Sequence, residues 1–271
     1  MSRSIARFLA GLTHAATAPM RPRRAAATRA LVAEALLQQV TVQTPAGALL
    51  VQCPSARALH DPQGFGRDEP ETVAWVMGLP GGSVVWDIGA NIGLYTLLAA
   101  RRGLPVLAFE PSAASYAAMV RNVEINRLDG QIAAYCLAFA EHTSLITLNM
   151  ASTAAGHSMH SIEPRAGGFR QAVPGFSVDD FMQRFAPPPP YAVKLDVDGI
   201  EPAILRGAMA TLRQHVREVL VEIDGENAAA GGNGIPQLLA QAGFQEVVMA
   251  GAGRNRRFVR PSADQIGGEG L

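Results

Sequence analysis

The chain has 271 residues, 48% hydrophobic and 17% charged, with 23 basic side chains balancing 23 acidic ones. That apolar content supplies a full core and excludes a wholly disordered chain. Zero net charge argues against a general nucleic-acid binder, and no apolar run reaches the ~20 residues that a membrane-spanning helix needs.

Residues 1–40 read as an Arg-rich extension. Six arginines (Arg3, Arg7, Arg21, Arg23, Arg24, Arg29) precede the first acid, Glu34. The apolar patch Phe8–Leu12 is too short for a secretory signal, and an Arg-rich, acid-poor start is also what a transit peptide shows. The spacing predicts a helix over Ala25–Gln39, with the first half only partly ordered. Residues 41–68 are expected to hold a β-hairpin and a loop. Val40, Val42, Leu49 and Val51 alternate around Pro45-Ala46-Gly47, and a polar stretch with Pro62, Gly64 and Gly66 follows. Glu69–Met77 reads as a short helix with acids in its first turn.

From Ser83 the pattern becomes strand–helix alternation, the mark of a parallel sheet covered on both faces. Strands are expected at Ser83–Asp87, Val106–Phe109, Gln131–Cys136, Leu145–Asn149, Tyr191–Leu195, Val219–Ile223, Glu246–Met249 and Arg257–Val259. Helices are expected at Leu94–Arg101, Ala113–Asn126, Val178–Phe185, Pro202–His215 and Ile235–Gln241. Residues 151–175 show no period and read as a long Gly/Ser/His-rich loop. The four prolines Pro187–Pro190 end a helix rigidly, and Pro261–Leu271 reads as a loose tail. Cys53 and Cys136 lie too far apart for a zinc module or a disulfide framework, which fits a reducing, cytoplasmic setting.

The segment Asp87-Ile88-Gly89-Ala90-Asn91-Ile92-Gly93 carries the strongest chemistry. A buried strand ends in an acid, the chain turns on glycines, and a helix begins. Gly89 opens backbone angles closed to other residues and lets a ligand approach the main chain. Gly93 lets the helix pack closely. This is a nucleotide site at the carboxyl end of an α/β sheet. The dinucleotide fingerprint G-x-G-x-x-G is broken by Asn91 at the middle glycine. Asp87 would repel a pyrophosphate but attract a sulfonium and an α-ammonium, so the turn suits S-adenosylmethionine better than NAD. Glu110-Pro111 ends the next strand, 17 residues after Gly93, where a carboxylate reaches ribose hydroxyls. The expected cofactor-binding set is Asp87, Gly89, Ala90, Asn91, Gly93, Glu110 and Pro111.

These segments, with Lys194-Leu195-Asp196-Val197-Asp198-Gly199-Ile200-Glu201, resemble those of FkbM-type methyltransferases. The likeness spans roughly residues 41–225 and includes Ser177-Val178-Asp179-Asp180-Phe181 and Leu205-Arg206-Gly207-Ala208. It departs at Asp198, where the family usually has Glu. The resemblance implies a doubly wound α/β fold with a mostly parallel seven-stranded sheet, Rossmann-like, of the class I methyltransferase kind. The methyltransferase domain would occupy residues 69–260, and residues 261–271 would form the flexible tail. It also implies a bacterial type of enzyme acting on hydroxyls of sugars, lipids or secondary metabolites.

Lys194 is the one lysine among 22 arginines, a bias that matches a GC-rich genome. Lys194 and Asp196 share a strand face, and Asp198 and Glu201 follow in the turn and the next helix. Three readings of this cluster stand. Asp196 or Asp198 is the general base, with Lys194 steadying a forming alkoxide; the acids bind a divalent cation; or Asp198 and Glu201 cap the helix and pair with Lys194. The first is preferred and no metal site is expected. His157, in the polar loop, is a further candidate base, whereas His157 with His160 fixes no metal geometry. Arg254, Arg256, Arg257 and Arg260 read as a solvated face rather than an anion site. The expected function is O-methylation of a small-molecule, sugar or lipid hydroxyl, with no nucleic-acid partner and no membrane span. The alternatives are an NAD-dependent oxidoreductase, disfavoured by Asn91, and a non-catalytic cofactor-binding relic, disfavoured by the intact acid–lysine cluster.

Overall fold

The computed structural model describes residues 2–157, 168–197, 199–223, 234–249 and 253–261. Contacts divide the chain into two compact units, residues 1–39 and 40–271. The first holds two helices, α1 (Ser2–Thr17) and α2 (Pro22–Ala35). The helix expected over Ala25–Gln39 therefore starts earlier, with Pro22 at its first position, and Gln38 already belongs to a strand. The half expected to be only partly ordered is itself helical. Its period of 3.6 is carried by Ile5, Phe8, Leu9 and Leu12, a pattern spread too widely to register as one apolar run.

The second unit runs β1 (Gln38–Thr44), β2 (Gly47–Cys53), α3 (His60–Gly64), α4 (Pro70–Gly78), β3 (Val85–Ile88), α5 (Leu94–Arg101), β4 (Val106–Phe109), α6 (Ala113–Asn126), β5 (Ile132–Tyr135), β6 (Ala138–Phe139), β7 (Ser144–Met150), β8 (Phe169–Phe176), α7 (Val178–Phe185), β9 (Ala192–Leu195), α8 (Glu201–Arg206), α9 (Met209–Gln214), β10 (Glu218–Glu222), α10 (Ile235–Gln241), β11 (Gln245–Val247) and β12 (Asn255–Val259). Seven strands form the main sheet in the order β11-β12-β10-β9-β3-β4-β5. The five from β10 to β5 are parallel, and β12 runs antiparallel to both its neighbours. The fold is thus mixed α/β with a mostly parallel seven-stranded sheet behind an N-terminal hairpin.

The central strands are buried on both faces, as their continuous apolar runs require. One face packs against α5, α6 and the hairpin through residues such as Leu97, Met119, Leu49 and Val51. The other packs an aromatic cluster, in which Trp86, Phe109, Phe139 and Phe181 have ring centroids 4.7–6.1 Å apart. The Trp86 indole donates to the Pro188 carbonyl at 3.1 Å, which gives the proline run a place to land.

The hairpin is held from the side by helix amides. Leu50 N–H donates to Asn126 Oδ1 at 2.9 Å, Asn126 Nδ2 donates to the Leu50 carbonyl at 2.6 Å, and Gln52 N–H donates to Asn122 Oδ1 at 2.7 Å. Two strand residues rise about 6.7 Å and four helix residues about 6 Å, so the spacings match.

Two expectations are corrected. Residues 169–176 of the supposed loop 151–175 form β8, paired antiparallel with β7; Pro174 and Gly175 look like turn residues and hide it. Residues 158–167 of that stretch lie outside the described residues. The helix expected over Pro202–His215 breaks into α8 and α9 at Gly207, where a Cβ would sit 2.6 Å from the Ala140 carbonyl oxygen. The Asp179 carboxylate, on α7, accepts hydrogen bonds from the Ala210 and Thr211 amides at 2.9 and 2.8 Å and so caps α9. Most of the loose tail also lies outside the described residues.

Candidate active site

The strand order reverses between β3 and β9, and such a switch point leaves a crevice at the carboxyl ends of the strands. A cavity of about 260 Å³ opens there, walled by the ends of β3, β4, β9 and β10. The register places Asp87 on β3 beside Lys194 on β9, so two opposite charges meet across neighbouring buried strands.

After β3 the chain turns sharply. The Gly89 and Ala90 amides both donate to the Phe109 carbonyl, at 2.9 and 3.1 Å. Gly89 has φ +89°, and a Cβ there would lie 1.8 Å from the Asp196 carbonyl oxygen. The close approach that this glycine permits is therefore to the β9 turn. Gly93, at φ +87°, faces Met119 of α6 rather than the sheet. Asn91 adopts φ +50°, a left-handed conformation that asparagine tolerates better than most residues, so it stands in for the missing middle glycine.

Two carboxylates face this turn. Glu110 is buried and accepts from the Asn91 amide at 2.8 Å and the Ser112 amide at 2.7 Å, which fixes its orientation. Asp87 accepts from the Thr96 hydroxyl at 2.5 Å through one oxygen. Its other oxygen, Oδ1, is buried with no hydrogen-bond partner among the described residues, and neither has Asn91 Oδ1. Burial raises the Asp87 pKa, opposed by the Lys194 ammonium and the Thr96 hydroxyl. Pro111 also lines the cavity.

At the end of β9, Lys194 Nζ lies 2.6 Å from Asp196 Oδ2 and 5.3 Å from the centroid of the Tyr95 ring. The lysine side chain is 5% exposed and that of Asp196 26%, so the acid reaches solvent while the ammonium does not. Burial works against the ammonium, but Asp196, Glu69 and Asp87 outweigh it and hold the Lys194 pKa above its ordinary value. Burial alone would raise Asp196, yet Lys194 holds it below the ordinary carboxylate range. Asp196 also hydrogen-bonds Glu222, from the end of β10. Burial and the Asp196 charge push Glu222 up to about 8. The two carboxyls therefore share one proton, with Arg254 pairing Glu222 at 2.8 Å on the far side.

The remaining predicted residues fall into three groups. Glu201 is fully buried and does not line the cavity; it accepts from the Val197 and Gly199 amides at 3.2 and 3.0 Å and braces the turn after β9. Asp198 and His160 lie outside the described residues. His157 stands in the cavity wall, brought there because Gly156 packs its backbone onto Ala58 and donates to the Ser115 hydroxyl at 3.1 Å. Of the arginine group, only Arg254 lines the cavity. Arg256 pairs with Glu246, Arg257 with Glu218, and Arg260 donates to carbonyls of Leu212 and Ala242.

Sequence reasoning missed Glu222, Glu69, Asp61 and Tyr95. Glu222 carried a usable signal, since an acid ending a buried strand is what singled out Asp87 and Glu110. Asp61 and Glu69 come from distant segments and gave none, and Tyr95, two residues past Gly93 on α5, reads as an ordinary helix residue. Among the described residues lining the cavity, seven carboxylate side chains (Asp61, Asp68, Glu69, Asp87, Glu110, Asp196 and Glu222) outnumber three cationic ones (Arg57, Lys194 and Arg254). No group of three or more His, Cys, Asp and Glu among the described residues is arranged to hold a metal ion.

A family model described as the methyltransferase FkbM domain matches residues 87–246. The hexuronic acid methyltransferase AglP of Haloferax volcanii is 26% identical over 159 residues, 59% of this chain and 62% of that protein. The chain thus spans less than two thirds of this curated relative. Among solved structures, a methyltransferase FkbM from Methylobacillus flagellatus KT is similar at 17% identity and TM-score 0.46, covering 66% of this chain and 43% of that one. The magnesium protoporphyrin IX methyltransferase of Synechocystis PCC 6803, with bound SAM, is similar at 13% identity and TM-score 0.47, covering 76% and 85%.

Proposed function

We propose that this chain, which belongs to the methyltransferase FkbM family, transfers a methyl group from S-adenosylmethionine to a hydroxyl oxygen of a small molecule, sugar or lipid. The observation that carries the reading is the acid excess around the cavity, with one buried Asp87 oxygen left unpartnered. A sulfonium and an ammonium are attracted by such a lining, whereas the pyrophosphate of NAD is repelled. The likeness to a hexuronic acid methyltransferase favours a sugar as acceptor.

The residues present fit the cofactor. Glu110 is oriented to accept from ribose hydroxyls, and Asp87 with Asn91 to accept from the ammonium of the amino-acid part. Bound there, S-adenosylmethionine supplies a methyl carbon activated by its sulfonium. Asp196, partly exposed in the wall, accepts the hydroxyl proton of the acceptor as the acceptor oxygen takes the methyl and S-adenosylhomocysteine leaves. Lys194 holds Asp196 in place and keeps it ionised; Glu222 tunes it through their shared proton. His157 is a second proton acceptor at the rim. Asp198 is an alternative proton acceptor, and Glu201 braces the turn that carries Asp196.

Calorimetric titration should give a saturable heat with S-adenosylhomocysteine and none with NADH; the reverse would overturn the reading. Labelled methyl transfer into uronic-acid glycans should yield an alkali-stable ether. An alkali-labile ester would move the acceptor atom from hydroxyl to carboxylate.

Glu222 also makes stability depend on pH. Its folded value of about 8 lies above its ordinary 4.5. Between those values the folded state holds a proton that the unfolded state releases, so stability falls as pH rises through the window. Glu222→Gln should flatten that slope in thermal unfolding curves between pH 5 and 8; an unchanged slope would place the shared proton elsewhere.

A further inference from the structure

Helix α1 has a feature that methyl transfer does not use. Ile5, Phe8, Leu9 and Leu12 follow the i, i+3, i+4, i+7 spacing of one helix face. All four are 51–65% exposed. At 100° per residue, Arg3, Arg7 and His14 fall on the opposite side. The link to α2 sits at the far end, where Arg29 Nη1 donates to the Thr17 hydroxyl at 3.0 Å. The α2 segment adds Arg21, Arg23 and Arg24, and no acid appears before Glu34.

A partner for this surface must do two things. It must take four large apolar side chains out of water, and it must offer negative charge to a strongly cationic pair of helices. A nucleic acid meets the second demand and leaves the apolar stripe wet. A second copy of the chain meets the first and brings two arginine clusters together. An anionic lipid bilayer meets both, because acyl chains lie directly beneath phosphate headgroups. The helix is about 24 Å long, and no helix among the described residues is long and apolar enough to cross a membrane. It fits an orientation in the plane of the interface, with arginine stems reaching up to the headgroups.

We propose that α1 is an in-plane membrane anchor that docks this protein on an anionic phospholipid surface. This assignment stands whether or not the catalytic reading holds. Each basic side chain near such a surface contributes about a fivefold factor in partitioning, so binding should collapse as salt is raised.

The test is flotation of the full chain with vesicles of phosphatidylcholine, with and without phosphatidylglycerol. The expected result is co-flotation only with the anionic vesicles. Phe8→Glu with Leu12→Glu should abolish it while leaving the circular dichroism and thermal unfolding of the remainder unchanged. Arg3→Glu with Arg7→Glu should weaken it at least 25-fold. Absence of flotation on anionic vesicles overturns the proposal, as does flotation that survives Phe8→Glu with Leu12→Glu. A wild-type dimer in light scattering that becomes monomeric in that variant, without flotation, assigns the face to a second copy instead.

Discussion

Replacing Asp196 by asparagine should lower kcat by roughly 10²–10⁴-fold while S-adenosylhomocysteine still titrates in the calorimeter. The side chain keeps its shape and loses its ability to take a proton. It also turns a nitrogen or a neutral oxygen toward Lys194, 2.6 Å away in the parent. Asp87 and Glu69 remain to balance that ammonium, so the fold should persist. The cofactor-facing groups, Asp87 and Glu110, are untouched. Full turnover in the variant would remove Asp196 from the chemistry and leave His157 as the acceptor of the proton. Lost cofactor binding with a normal unfolding curve would instead make Asp196 part of the cofactor site.

The second large effect concerns stability. Lys194→Met removes the buried ammonium and leaves Asp87 and Asp196 facing each other, with Glu69 nearby. Breaking a buried ion pair from one side costs about 3–5 kcal/mol, which for a domain of this size lowers Tm by roughly 10 °C. The sign with pH is definite. In the parent, the Lys194 contribution is present everywhere below its ordinary value of 10.5. In the variant, the orphaned carboxylates take up protons as pH falls, so the deficit should shrink toward acid pH. A deficit independent of pH would mean that lost packing against Tyr95, not charge, is responsible. Lys194→Arg should not restore the parent, because a guanidinium fork is too broad for a slot that holds a compact ammonium over a ring face.

Much of the fold was legible where local signals agree. The helices Leu94–Arg101, Ala113–Asn126 and Val178–Phe185 were read to the residue, since apolar periodicity and turn residues coincide there. The doubly wound, mostly parallel seven-stranded sheet was implied by the family resemblance rather than by any single segment. Legibility failed where one signal contradicts another. Pro174 and Gly175 sit inside a strand, and Gly207 interrupts a pattern that otherwise reads as one helix. At the candidate site, residues adjacent in sequence to a strand end were visible: Asp87, Glu110, Lys194 and Asp196. Those delivered by remote segments were not, because nothing local to Asp61 or Glu69 tells that folding carries them to the same cavity. The segments Ser177–Phe181 and Leu205–Ala208 are instructive in the opposite direction. They contribute to the resemblance, yet none of them lines the cavity: the Asp179 amide donates to the Gly207 carbonyl at 3.0 Å, the Asp179 carboxylate caps α9, and Arg206 Nε donates to Glu141. Motif residues of this kind tie α7 to the α8–α9 junction.

The asparagine pair on α6 has a consequence for solubility. A hairpin strand with open backbone donors and acceptors is a template on which other chains can stack. Here the amides of Asn122 and Asn126 occupy the Leu50 and Gln52 positions as a neighbouring strand would, without offering a further edge of their own. Helix α6 therefore works as a molecular stopper against sheet growth, and losing its two amides would expose this protein to fibrillar self-association.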